Sequence, residues 1–271
     1  MQPTVVLIAG SPHGGTTITN LLLGQHPEVF PAGEMTNFPD GRQFTPERMC
    51  SCGSLSLECP FWHRVRTAYA GTEGQPPARR QAALYEIIAR ESGRRVVVDV
   101  THKAERAFAL AANAELDLRV IHLTRDGWAV VSSRIKWDYR YKVLTGFGWE
   151  HLTRIGSTAR RWRERERHYE RLERQLGPRA IRVGYEALCG QSATELGRVG
   201  ALIGVDFAGV SARLLAGEPL EPAPHLLRGN SHVIGRDPVT LRRDTGGPQR
   251  SLLESCAFHL FSRVRPLRLL Q

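Results

Sequence analysis

The sequence has no long hydrophobic run. Its most apolar stretches, residues 5–9 and 21–23, fall far short of the about 20 residues that a membrane-spanning helix needs. The first 27 residues contain no Lys, Arg, Asp or Glu, and GSPHGG at 10–15 interrupts their apolar residues. A signal peptide instead has a basic start followed by an uninterrupted apolar core. We therefore expect a cytoplasmic protein with no membrane span.

Cysteines and aromatic residues are also scarce. Five cysteines are an odd number, and three of them lie within residues 50–59, so they do not form the spread framework of a small secreted protein and reduced thiols are expected. The net charge of +10 favours an anionic ligand. Only 7% of the residues are aromatic, no known module motif is present, and the arginine clusters contain many Glu residues, so we expect no nucleic-acid partner. A basic nucleic-acid-binding module is the non-enzyme alternative.

Strand and helix patterns alternate along the chain. Residues 4–9, 95–100, 118–124 and 180–183 are short apolar runs that predict strands, and residues 16–25, 104–116 and a segment opening at 126 predict helices. This order predicts an α/β protein with a parallel sheet flanked by helices. We expect a single domain, residues 1–271, with a cysteine-containing insertion at about 28–78. Residues 154–176 predict a charged, solvated helix and residues 217–247 a long functional loop.

A glycine-rich loop joins the first predicted strand to the first predicted helix. Gly10 and Gly15, followed by Thr16 and Thr17, have the spacing of a phosphate-binding loop in the context that this motif requires. Backbone N–H groups of such a loop and the positive end of the helix bind phosphate oxygens. The usual lysine is replaced by Thr16, which argues against magnesium-dependent hydrolysis of a nucleoside triphosphate.

A second candidate site follows the strand at residues 118–124. Arg125 lies at the carboxyl end of this strand, the edge at which open α/β sheets bind ligands, and its planar guanidinium suits a phosphate. Asp126 is placed to cap the next helix. Ser133 lies about two turns into that helix, and because Ser132 precedes it, only one of the two serines can face the ligand.

Together these segments resemble the sulfotransferase family that uses 3'-phosphoadenosine-5'-phosphosulfate (PAPS). The resemblance comprises GSPHGGTT at 10–17, HPEV at 26–29, GE at 33–34, VVDVTHKAERA at 97–107, the Arg125–Ser133 pair, GYEAL at 184–188 and RGN at 228–230. It implies a phosphate-loop fold like that of nucleoside-triphosphate hydrolases, PAPS as co-substrate, and an acceptor that is a small molecule, a glycan or a peptide. The residues it implies for nucleotide binding are His13, Gly14, Gly15, Thr16, Thr17, Arg125, Ser133, Tyr185, Arg228, Gly229 and Asn230.

The resemblance also suggests catalytic residues. The family's basic loop residue is replaced by His13, and its following serine by Gly14, so the transfer step needs another cation or a protonated His13. Lys103 is the candidate cation. Glu34 is the preferred base for the acceptor proton, and His102 is the rival base. No metal is required for this chemistry, and the acceptor and the oligomeric state stay open.

Two further alternatives remain open at this stage. A nucleotide or small-molecule kinase on the same loop would need acidic magnesium ligands, and Asp99 is the only acid well placed for that role. The cluster of Cys50, Cys52 and Cys59 with His63 is compatible with zinc, although its spacing is not a standard finger pattern; packed thiols or a redox-labile pair are the other interpretations.

Overall fold

Five parallel strands form the centre of the protein in a computed structural model that describes residues 2–143, 148–227, 237–242 and 251–263. The strands are β1 (Thr4–Gly10), β2 (Val29–Gly33), β3 (Val96–Thr101), β4 (Asp117–Thr124) and β5 (Ala180–Gly184), in the order β2-β3-β1-β4-β5. All four strand pairs are parallel. The predicted α/β fold class with a parallel sheet is therefore confirmed.

Ten α-helices occur in the described ranges. They are α1 (Thr16–Leu23), α2 (Pro60–Ala70), α3 (Pro77–Ser92), α4 (Ala104–Ala112), α5 (Gly127–Arg140), α6 (Trp149–Leu176), α7 (Tyr185–Gly190), α8 (Ser192–Ile203), α9 (Ala208–Leu215) and α10 (Leu252–Arg263). Across the part of the chain that the structure covers, no helix combines the length and the apolar character needed to cross a membrane.

The sheet separates two hydrophobic cores. Successive side chains of a strand point to opposite faces, and accordingly Val5 and Leu7 of β1 belong to one core while Val6 and Ile8 belong to the other. All four are fully or almost fully buried. A strand buried on both faces explains why β1 is a continuous apolar run rather than an alternating pattern.

Strand β2 is the strand of the sheet that the sequence did not indicate. Pro31 and Gly33 interrupt its apolar pattern, but β2 lies at the edge of the sheet, where proline is tolerated because one side of the strand needs no donor. The segment at about 28–78, predicted as an insertion, therefore begins with a strand of the sheet itself. Its remaining part packs through aromatic side chains, among them the buried Phe61 and Trp62.

The strand order brings three loops together at one edge of the sheet. In the central β3-β1-β4 block, Ala9 is paired with Thr101, and Gly10 with Leu123. The segments that follow β1, β3 and β4 are consequently neighbours at the carboxyl ends of these strands. The connection that leaves β1 runs to β2 on one side of β1, and the connection that leaves β3 runs to β4 on the other side. Such a reversal of direction is the position at which open α/β sheets form a ligand crevice.

Candidate active site

The glycine loop, residues 11–15, has a tight backbone with no room for extra side chains. The Gly14 N–H donates to the Ser11 carbonyl oxygen at 2.9 Å, and a Cβ at Gly14 would lie 2.7 Å from that oxygen. Gly15 has a φ of 91° and its added Cβ would overlap the ring of Tyr185. Gly15 also caps α1 without a side-chain hydrogen bond, so no side chain of the cap residue covers the amides at the start of that helix.

A series of polar side chains connects this loop to α6. The Ser11 hydroxyl donates to Glu166 Oε1 of α6 at 3.3 Å. The other Glu166 oxygen lies 3.4 Å from His122 Nε2, and His122 Nδ1 lies 3.1 Å from Glu173 Oε2. Sequence reasoning missed this connection because its members are 155 and 51 residues apart and the residues of α6 look like a solvated face.

Arg125 links the loop to the end of β4. Its Nη1 donates to the His13 carbonyl oxygen at 2.7 Å, and its guanidinium carbon lies 5.0 Å from the centroid of the Tyr185 ring. The Tyr185 hydroxyl in turn donates to the Arg242 carbonyl at 3.1 Å. Arg125 is thus held between the loop and an aromatic ring, an arrangement that restricts the orientation of its guanidinium.

Ser133 faces the loop, whereas its neighbour Ser132 does not. Ser133 Oγ lies 3.2 Å from His13 Nδ1. The Ser132 hydroxyl instead donates to the Ala129 carbonyl of its own helix at 3.2 Å. The N-terminus of this helix, α5, is fixed by Asp126, whose Oδ1 accepts from the Ala129 N–H at 2.8 Å. Arg125 and Ser133 therefore both contact His13 and form one continuous group with the glycine loop.

His13 is a neutral side chain in this environment. Burial, followed by the positive charge of Arg134, lowers the pKa of His13 from 6.5 to about 4. Its backbone has a φ of 65°, an uncommon value for a residue other than glycine. At neutral pH the loop consequently presents an uncharged imidazole, because the nearby positive charges of Arg134 and Arg125 add to the effect of burial.

The two candidate bases are in contact with each other. His102 Nδ1 lies 2.8 Å from the Gly10 carbonyl oxygen and, as the only possible donor of that pair, carries a proton there. His102 Nε2 lies 3.3 Å from Glu34 Oε1, and both side chains are partly exposed, at 21% and 29%. At that distance an imidazole N–H can donate to a carboxylate oxygen, so the two candidate bases lie side by side as one pair.

Asp99 anchors this pair and is itself fully buried. Its Oδ2 accepts from the Tyr85 hydroxyl at 2.6 Å and from Arg106 at 2.5 Å. Its Oδ1 accepts from the Met35 N–H at 3.1 Å, which fixes the backbone next to Glu34. Because both carboxylate oxygens are already engaged, Asp99 is not an open ligand for magnesium. The kinase alternative loses the acid on which it depended.

The other expected site residues are only partly placed. Thr16 is buried and Thr17 partly exposed at the start of α1. Lys103 directly follows His102 and has an exposed side chain, and its N–H donates to Thr101 Oγ1 at 3.2 Å. Arg228, Gly229 and Asn230 lie outside the described residues.

One family model matches most of the chain. Residues 3–209 match the family model described as "Sulfotransferase family". No curated protein matches.

Solved sulfotransferase structures share the fold at low sequence identity. The sulfotransferase domain of the curacin biosynthetic pathway is 15% identical with a TM-score of 0.59, and the comparison covers 97% of this chain and 99% of that one. The sulfotransferase domain of the Synechococcus PCC 7002 olefin synthase is 19% identical with a TM-score of 0.52, and the comparison covers 98% of this chain and 97% of that one. Mouse sulfotransferase SULT7A1 complexed with PAP is 10% identical with a TM-score of 0.55, and the comparison covers 96% of this chain and 83% of that one. At such identities the structural likeness establishes the fold alone.

Proposed function

Because this chain belongs to the sulfotransferase family, we propose that it transfers a sulfuryl group from PAPS to a hydroxyl or amine of a small-molecule, glycan or peptide acceptor. The observation that carries the proposal is the contact of Arg125 and Ser133 with His13. Through this contact, the glycine loop and the Arg125–Ser133 pair lie on one continuous surface. These are the two anion-binding elements expected for a nucleotide with phosphates at both the 3' and the 5' position. The mouse relative was solved with PAP, the adenosine 3',5'-bisphosphate that such a transfer leaves behind.

The residues present fit a nucleotide of this kind. Gly14 and Gly15 leave no side chain where the backbone would approach the 5'-phosphosulfate, and residues 10–17 contain no carboxylate that would repel it. The hydroxyls of Thr16, Thr17 and Ser133 and the guanidinium of Arg125 are all donors, as an anionic ligand requires. The chain carries a net charge of +10, which further favours such a ligand.

The transfer itself resembles phosphoryl transfer. The acceptor oxygen or nitrogen forms a bond to sulfur as the bond from sulfur to the phosphate oxygen breaks, and the departing phosphate gains negative charge. The amides at the N-terminus of α1 and the cation of Lys103 stabilise this charge, because donors that face a developing anion act most strongly in the transition state. Neutral His13 contributes a ring nitrogen rather than a permanent charge.

The acceptor proton goes to the Glu34–His102 pair. Glu34 takes it as general base, and His102, held by the Gly10 carbonyl, orients the carboxylate through Nε2. This assignment combines the two residues that the sequence presented as rivals. No metal is required for the reaction in this scheme, and we further propose that the protein acts in the cytoplasm.

The proposal predicts a specific order of nucleotide affinities. We expect PAP to raise the melting temperature without magnesium, because a ligand that binds only the folded state stabilises it by about 2.7 kcal/mol at 100 times its dissociation constant. AMP lacks the 3'-phosphate and should stabilise the protein much less. Thermal melting with PAP, AMP and Mg-ATP tests this order, and stabilisation by Mg-ATP alone would favour a kinase instead.

The Lys103→Ala variant distinguishes an effect on turnover from an effect on nucleotide affinity. We expect Lys103→Ala to lower turnover by at least about tenfold, which corresponds to 1.36 kcal/mol of transition-state stabilisation, while most of the affinity for PAP remains. Lys142→Asn is a matched control, because it also removes an exposed lysine and asparagine tolerates the positive φ of 56° at that position. Equal turnover in the Lys103 variant and in the control would remove Lys103 from the mechanism.

A further inference from the structure

Three cysteines and a histidine that are distant from the glycine loop in sequence lie close together in the structure. One ligand atom from each of Cys50, Cys52, Cys59 and His225 lies within 4.8 Å of the others. Cys52 Sγ is 3.7 Å from Cys59 Sγ, and Cys59 Sγ is 3.3 Å from His225 Nδ1. A tetrahedral zinc site with Zn–S bonds of about 2.3 Å has sulfur atoms about 3.8 Å apart, so these side chains already have the spacing of a ligand set.

A tight turn brings the cysteines together. The Cys50 N–H donates to the Ser54 carbonyl, and the Gly53 N–H donates to the Cys50 carbonyl, both at 2.9 Å. Gly53 has a φ of 95°, which the turn requires and which glycine adopts without strain. Cys59 precedes α2 as its N-cap residue and is fully buried. The turn therefore folds Cys50 and Cys52 back onto the start of this helix.

The fourth ligand atom is held in place from two sides. The His225 ring stacks on Phe61 with centroids 4.8 Å apart and planes 11° from parallel. The His225 carbonyl accepts from Trp62 Nε1 at 2.5 Å, and its φ of 57° is in the left-handed region.

His63, which the sequence suggested as the fourth ligand, is not part of this cluster. It lies on α2 four residues after Cys59 with an exposed side chain. The position is taken by His225, 166 residues from Cys59, a separation that no local spacing rule detects.

We propose that Cys50, Cys52, Cys59 and His225 form a structural zinc site. Zinc is bound well by both thiolate and imidazole ligands, and four protein ligands leave no open position for substrate, as in structural sites of the Cys₃His type. Binding releases the thiol protons to solvent as the metal–sulfur bonds form. The function of the site is to cross-link the segment around residues 50–59 to residues 223–226.

The two segments already contact each other through hydrogen bonds. The Ser51 N–H donates to the Leu226 carbonyl at 3.0 Å, and Ser51 Oγ donates to the Ala223 carbonyl at 2.6 Å. Ser51 Oγ also accepts from the Leu226 N–H at 2.8 Å. Zinc would hold the same two segments together through His225. This residue lies three positions before Arg228, which the family resemblance places near the nucleotide.

Metal content of the intact chain tests the proposal without using nucleotide or activity. We expect about one zinc per chain by elemental analysis, and a loss of most of it in Cys52→Ser and in His225→Asn. Cys52 is exposed, so its variant keeps the core intact. His63→Asn and Cys256→Ser are matched controls at exposed positions outside the cluster, and both should keep the metal.

A titration of the unmodified protein with Co²⁺ keeps the test independent of variant folding. The tetrahedral thiolate site should give the visible bands of four-coordinate cobalt, and Zn²⁺ should abolish them. Two results would overturn the proposal: a chain that binds neither metal after reduction, or equal metal content in the cluster and control variants. A protein whose mass is 2 Da lower because Cys52 and Cys59 are joined would show a redox pair instead.

Discussion

Replacing Glu34 with glutamine is expected to lower turnover by about 10²-fold or more while leaving nucleotide affinity close to that of the parent protein. Glutamine keeps the shape of the side chain and its reach toward His102 Nε2, which lies 3.3 Å from Glu34 Oε1, but it cannot accept the acceptor's proton. The rate of PAP formation with an acceptor found by screening measures the first effect, and calorimetric titration with PAP measures the second.

His102→Asn distinguishes the base from the residue that positions it. If Glu34 is the base, His102→Asn should reduce turnover less, because the carboxylate remains and only its orientation is lost. The opposite order of effects would make His102 the base. Turnover close to the parental value in both variants would show that neither residue accepts the proton. A pH–rate profile of each variant shows which substitution abolishes the fall in rate at acidic pH, and the residue replaced in that variant is the base.

Arg125→Ala is expected to weaken PAP binding by about 10- to 150-fold, since a hydrogen bond to a charged group contributes about 1.5–3 kcal/mol. The same change removes the support for the His13 carbonyl, 2.7 Å from Arg125 Nη1, and the contact with the Tyr185 ring. A melting curve without ligand therefore accompanies the titration and shows whether the loop's stability has changed as well.

Arg213→Ala is the matched control for this change. Arg213 is a partly exposed arginine of α9, and its guanidinium is engaged by Glu218 at 2.9 Å. The variant removes the same charge without removing a donor from the glycine loop. A loss of affinity as large as that of Arg125→Ala would mean that overall charge, rather than the placement of Arg125, controls binding.

The sequence was informative wherever the signal is local. The apolar run of β1, the glycine loop and α1 are consecutive, and each is recognisable from its own residue types. The position of Arg125 followed from the rule that ligands bind at the carboxyl ends of parallel strands. Likewise, Tyr169, Leu172 and Leu176 recur at helical spacing, and all three are buried in α6.

The remaining features depend on contacts between distant segments. No spacing pattern places Glu34 against His102, because the contact requires β2 beside β3, and β2 contains Pro31 and Gly33. The charge state of His13 is equally inaccessible, since the sequence does not reveal that burial and Arg134 lower its pKa to about 4. For the same reason, His225 was not associated with the cysteines.

Arg125, placed beside the glycine loop, is expected to bind a 3'-phosphate. A cycle of four calorimetric titrations tests this, with PAP and AMP each titrated into the parent protein and into Arg125→Ala. The 3'-phosphate should improve affinity by about 10-fold or more in the parent and by little in the variant, because both changes remove the same interaction. An equal gain from the 3'-phosphate in both proteins would contradict it.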